Sequence, residues 1–298
     1  MSDDERPLLD GELLRQLDRL RLSTLTAIVA ALVGERQGRA RIARLEFADY
    51  RPYVPGDELR RIDWNIYRRL HQLVVKVGAE DGRLSLVLLI DTSRSMRIGQ
   101  PSKFRGAQRM AAALAAIALL RGDQAEVHAL GDGRSRSLVR LDGPRQITQL
   151  VYELERLPES LGTGLEAALS EYARAGRPSD VAMLISDVHV PPAELDSALQ
   201  TLASCARTAG LIHVVAGDEP ETALRGPVEL RDAESGRVIE TTLDDQAAAE
   251  YAERFAVFED TVRERCRELG VHYLRARSDE DALDLLLAHA GDVAVTIA

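Results

Sequence analysis

Residues 88–96, LLIDTSRSM, pass from apolar to polar in a single step. With the LSLV that precedes them, they read as a strand over 84–90 buried on both faces. From Asp91 onward a carboxylate and two hydroxyls alternate, at Asp91, Ser93 and Ser95. One reading is a turn that uses polar side chains to satisfy its own backbone amides. The other is a set of hard oxygen donors for a metal ion.

Working outward, apolar runs of strand length alternate with helical periodicity. A helix is expected over 102–120 with Ser102 as N-cap, then a strand over 125–130. Helices over 144–157 and 164–173 follow, then a strand over 181–186, a helix over 191–208 and a strand over 211–216. This alternation predicts an α/β fold: a doubly wound, mostly parallel sheet with helices on both faces. After Gly217 the rhythm breaks. Residues 227–243 read as a hairpin turning at Ser235-Gly236, followed by a helix over 244–269 that Gly270 stops. A strand over 271–274 and a helix over 279–289 complete the pattern.

Upstream, leucines at helical spacing predict a helix within 8–34, and 73–77 is a short β-like run. The expected organisation is a helical segment over 1–38, a turn-rich segment over 39–80, and the α/β domain over 81–298. The hairpin is an insertion at about 225–243.

At 45% hydrophobic and 29% charged residues, the composition is that of an ordinary soluble globular protein. The apolar stretch 110–120 is closed by Arg109 and Arg121, too short to span a bilayer. The acidic start lacks a signal-peptide layout, so a cytoplasmic location is expected. The formal net charge of −10 argues against nucleic acid as the partner. The charge is uneven, with a basic surplus over 39–77 and a strong acidic excess beyond 218. Cys205 and Cys266 stand alone in helical patterns and are expected to be buried small hydrophobes. Arginine outnumbers lysine 36 to 2, leaving Lys76 and Lys103 as the only lysines.

Asp187 ends the apolar run VAMLIS as Asp91 ends its own, and SLGTGLEAAL sets Thr163 between glycines before a helix. In doubly wound sheets, ligands sit at the carboxyl ends of strands near the topological switch. Asp91, Ser93, Ser95, Thr163 and Asp187 therefore form a candidate all-oxygen site. Mg2+ is the expected cation, with Mn2+ or Ca2+ as alternatives, and zinc's preferred cysteine and histidine ligands are missing. A bare D-x-S-x-S is weak evidence; its place at the end of a buried strand, ahead of Thr163 and Asp187, is what gives it weight. His189 suits a loop or outer-shell role better than magnesium ligation.

In this order, D-x-S-x-S, then Thr, then Asp, the residues resemble the metal-ion-dependent adhesion site of von Willebrand factor A-type domains. YRPYVPGDELRRIDW (50–64) resembles the signature of bacterial proteins carrying the domain of unknown function 58, which precedes such a domain. The resemblance implies direct or water-mediated metal binding by these hydroxyls and carboxylates. The open coordination position would be filled by an acidic side chain of a partner protein. It also implies a MoxR-type AAA+ ATPase, or its client, as that partner, and an adaptor or assembly role without catalysis. Many such proteins carry N-terminal membrane helices, and this sequence offers no apolar segment for one. Within the signature, Asp57 suits an N-cap, Trp64 a hydrophobic anchor, and Asp63 a charge partner of Arg60 or Arg61. Their basic surroundings offer the alternative of a docking surface for an acidic partner.

Two other classes compete. A magnesium phosphohydrolase of the haloacid-dehalogenase kind would need a second aspartate where Ser93 stands and a well-placed lysine for phosphate. No base is nominated for Ser93 as a nucleophile, and the P-loop pattern is missing. The remaining class is a metal-free scaffold, with the strand-end cluster serving only its turn.

Overall fold

A computed structural model describes residues 7–9, 15–17, 49–52, 74–77, 83–158, 160, 162, 164–175, 179–217, 219 and 225–295. Six strands form the central sheet: β3 (Ser85–Asp91), β4 (Gln124–Gly131), β5 (Arg134–Leu141), β6 (Ser179–Ser186), β7 (Ala206–Val215) and β10 (His272–Arg277). Their order across the sheet is β10-β7-β6-β3-β4-β5. All neighbours run parallel except β5, which folds back antiparallel on β4. The expected doubly wound α/β sheet is present.

Side-chain alternation along β3 explains the two layers of helices. Leu88 and Ile90 pack with α1 (Lys103–Leu120), α2 (Ile147–Glu155) and α6 (Ala282–Val295). Val87 and Leu89 point the other way, to α3 (Leu165–Arg174), α4 (Pro192–Cys205) and α5 (Asp245–Leu269). Leu88, Leu89 and Ile90 are fully buried, each contributing about 1.5–3 kcal/mol of hydrophobic stabilisation. Helix α1 is buried almost all round, which its run of alanines permits. Ser102 caps it, its hydroxyl accepting from the Arg105 amide at 3.2 Å. Gly106 lets it press on the chain after β10, since a Cβ there would meet Ser278 Cα at 2.8 Å.

The structure corrects several sequence expectations. Strand β5 was not anticipated, because RSRSLVRL is largely polar and exposed on a sheet edge. The helix expected over 191–208 ends at Cys205, and β7 begins at Ala206 without a glycine or proline to mark the change. The helix expected over 144–157 is a 3-10 turn, Pro144–Gln146, followed by α2. The 73–77 run does form a strand, β2 (Val74–Val77), paired antiparallel with the unanticipated β1 (Asp49–Pro52). Of the helix expected within 8–34, residues 8–9 and 15–17 fall among the described residues; 15–17 are helical, whereas 8 and 9 form a bend.

The hairpin is as expected, β8 (Gly226–Arg231) pairing with β9 (Val238–Leu243) in a sheet of its own. Asp244 caps α5 through the Ala247 amide at 2.8 Å, and Gly270 ends it at φ 69°. Cys205 and Cys266 are free and buried, and burial pushes their thiols up to about 11 and about 12. No helix among the described residues is long and apolar enough to cross a membrane.

Candidate functional site

Strand β3 lies between β4 and β6, and the chain leaves it in one direction and returns on the other side. The carboxyl ends of β3 and β6 therefore flank the switch point of the sheet, where ligands gather in such folds. Asp91 is the last residue of β3, and Asp187 follows the last residue of β6.

Asp91 accepts from the Ser93 amide at 2.9 Å through Oδ1 and from the Ser186 hydroxyl at 2.5 Å through Oδ2. Ser93 Oγ and Ser95 Oγ lie 3.1 Å apart. Asp187 Oδ1 accepts from the His189 amide at 3.2 Å, and its Oδ2 lies 3.4 Å from His189 Nδ1. Val188, between them, is held at φ 46°, a strained region for a β-branched residue. Its amide donates to Ser186 Oγ at 2.8 Å, so the turn that presents Asp187 is fixed by the same hydroxyl that holds Asp91.

A third loop closes the site. Ser160 donates to the Thr92 carbonyl from both its amide and its hydroxyl, each at 3.0 Å. Gly131 lies beneath this clasp, where a Cβ would come within 2.4 Å of Ser160 Cβ and 2.5 Å of Thr92 Oγ1. Between the loops lies a cavity of about 10 Å3, the space of one water-sized body. Asp91, Ser93, Ser95, Gly131, Gly162 and Asp187 are among its lining residues.

Lys103 is the residue that sequence reasoning missed. It opens α1, is wholly buried, and sets Nζ 2.7 Å from Asp187 Oδ2 and 3.5 Å from Glu219 Oε1. The contact with Asp187 is an ion pair out of hydrogen-bond alignment, since Oδ2 has no hydrogen-bond donor among the described residues. The only sequence signal was the rarity of lysine in this chain. The ammonium that the phosphohydrolase reading lacked is therefore at the site, but sealed behind Asp187. The position two residues after Asp91 still carries a hydroxyl.

These contacts separate the two carboxyls. Burial and the charge of Asp187 raise Asp91 to about 6. Burial pushes Asp187 the same way, but the His189 hydrogen bond and the charges of Lys103 and His189 outweigh it, and Asp187 stays below the usual carboxylate range. Behind them, burial lowers His213 to about 3, so it is neutral at physiological pH.

The donor chemistry fits a hard cation: two buried carboxylates and two hydroxyls around a cavity with room for one water-sized body. Among the described residues, no group of three or more His, Cys, Asp or Glu is arranged to hold a metal ion by itself, so the hydroxyls would have to share in ligation. Of the expected site residues, the structure brings together Asp91, Ser93, Ser95 and Asp187. Thr163 lies outside the described residues, although its neighbour Gly162 lines the cavity and Gly164 caps α3 at φ 110°. Asp57, Arg60, Asp63 and Trp64 also lie outside them.

The fold is a doubly wound α/β domain, with the candidate cluster at the switch point of its sheet. The chain belongs to the family described as protein of unknown function DUF58, which it matches over residues 49–260. Uncharacterised proteins of Mycobacterium tuberculosis and Mycobacterium bovis are 28% identical over 279 residues, covering 92% of this chain and 87% of theirs. Among solved structures, BatB of Bacteroides thetaiotaomicron, a conserved hypothetical protein, is similar at TM-score 0.43 and 18% identity, covering 71% of this chain and 99% of that one. A von Willebrand factor type A protein of Catenulispora acidiphila gives 0.41 and 18%, covering 70% of this chain and 42% of that one.

Proposed function

We propose that this protein is a non-catalytic, metal-dependent protein-binding module. Asp91, Ser93, Ser95 and Asp187, with Thr163 beside them, hold a divalent cation, Mg2+ before Mn2+ or Ca2+. An acidic side chain of a partner protein completes the coordination. The observation that carries this reading is the water-sized cavity between two buried strand-end carboxylates, one of them already paired with Lys103. With Asp187 compensated, a dication there meets one uncompensated carboxylate, Asp91, and hydroxyls. It stays electron-poor and favours a further anionic ligand.

The family resemblance supplies the partner's class, a MoxR-type AAA+ ATPase or its client, in the cytoplasm, with the ATPase providing any nucleotide hydrolysis. Co-elution of the purified protein with a MoxR-type ATPase of the same organism tests this. The complex is expected in magnesium and is expected to be lost in EDTA or with Ser93→Ala/Ser95→Ala. A complex indifferent to chelator and to that substitution would contradict the adhesion mechanism.

A further inference from the structure

The turn of the β8–β9 hairpin reaches back to the strand-end loop. Glu234 Oε1 accepts from the Ser95 amide at 2.8 Å, and the Glu234 carbonyl accepts from Arg94 Nη1 at 3.4 Å. Its second oxygen, Oε2, is sealed from solvent and has no hydrogen-bond donor among the described residues. A buried, unsatisfied carboxylate oxygen is costly unless a cation answers it. Ser95 is also a lining residue of the cavity, so Glu234 grips the backbone of a residue whose hydroxyl faces the proposed cation.

Among the described residues the hairpin's two strands pair only with each other, and Leu230, Val238 and Ile239 on it are exposed. Its turn is internally rigid. Asp232 Oδ1 accepts from the Ser235 amide at 2.6 Å and from its hydroxyl at 2.5 Å, and the Gly236 amide donates to the Asp232 carbonyl at 2.9 Å. Such a turn holds the Glu234 backbone firmly, while the ribbon behind it is free of the central sheet.

We propose that Glu234 is the site's resident acidic ligand. It holds the Ser95 amide in the metal-free protein and takes the open position on the cation when metal is bound. The hairpin then stands where a partner's carboxylate must go, and a partner engages by displacing Glu234. This rests on the metal-site reading above.

Mn2+ binding, followed by the relaxation of water protons, tests both its affinity and the waters left on the ion, in the full chain and in Glu234→Gln. Glutamine keeps an acceptor for Ser95 and removes only the charge, at a turn where folding is not at stake. The variant is expected to bind Mn2+ about tenfold more weakly and to leave one more water on the ion. Equal affinity and equal hydration in the two proteins would overturn the proposal while leaving the metal site standing. Absence of Mn2+ binding in the parent would overturn the metal site, and this proposal with it.

Discussion

Lys103→Met is expected to lower the unfolding free energy by about 3–5 kcal/mol in metal-free buffer near neutral pH. The methionine fits the volume of the buried aliphatic stem, so packing is largely kept. What is lost is the ammonium 2.7 Å from Asp187 Oδ2, leaving two buried carboxyls facing each other with no buried cation between them. Two further outcomes identify the cause as charge. The deficit shrinks in acid, because an unpaired Asp187 takes up a proton. It also shrinks when Asp187→Asn is added, a coupling that a double-mutant cycle in denaturant reads directly. A deficit unchanged by pH and by the second substitution would mean that Lys103 acts through packing alone.

The second large effect concerns Asp91. Its folded-state pKa of about 6 lies above the ordinary aspartate value, so between about pH 4 and 6 the folded protein holds a proton that the unfolded chain has released. Stability from this group is therefore complete below about pH 4 and is lost as pH rises through 6. Above that, the buried charge costs about 3 kcal/mol. Asp91→Asn keeps an acceptor for the Ser93 amide and an uncharged group beside Ser186. In EDTA the variant is expected to match the parent near pH 4 and to exceed its stability by up to about 3 kcal/mol at pH 7. Parallel stability curves for the two proteins across that range would contradict the assignment.

Both effects come from carboxyls buried at the strand ends: Asp187 is compensated by Lys103, and Asp91 is not. In LLIDTSRSM the turn reading is present in the structure. The Asp91 carboxylate does accept a turn amide, from Ser93, and it also faces a cavity with a second carboxylate.

The sequence made the parallel core legible because β3 and β6, buried between two helical layers, read as unbroken apolar runs, and β4 and β7 read as strands despite Glu126, His128 and His213 within them. The structure begins β3 at Ser85 and ends it at Asp91, one residue beyond the expected strand at its carboxyl end. Elements at the margin were harder. The exposed edge strand β5 carries charges where a core strand carries valines, and β7 starts directly from α4 with no punctuating residue. Within the site, Asp91, Ser93, Ser95 and Asp187 were legible because they stand at strand ends or in the loop just after. Lys103 and Glu234 were not. Lys103 sits in the first turn of α1, where lysine usually faces solvent, and its target comes from β6, far along the chain. Glu234 occupies a hairpin turn, where an acidic residue is unremarkable until the fold lays that turn on the Ser95 amide.

The most direct test of the metal site is calorimetric titration of Mg2+ into the metal-free protein at pH 7.5, with Asp91→Asn as the control. Saturable binding at one site in the parent, lost in a variant that is folded and no less stable, is the predicted result. No binding in the parent, or equal binding in the two proteins, would contradict the account and leave the strand-end cluster as a self-satisfied turn.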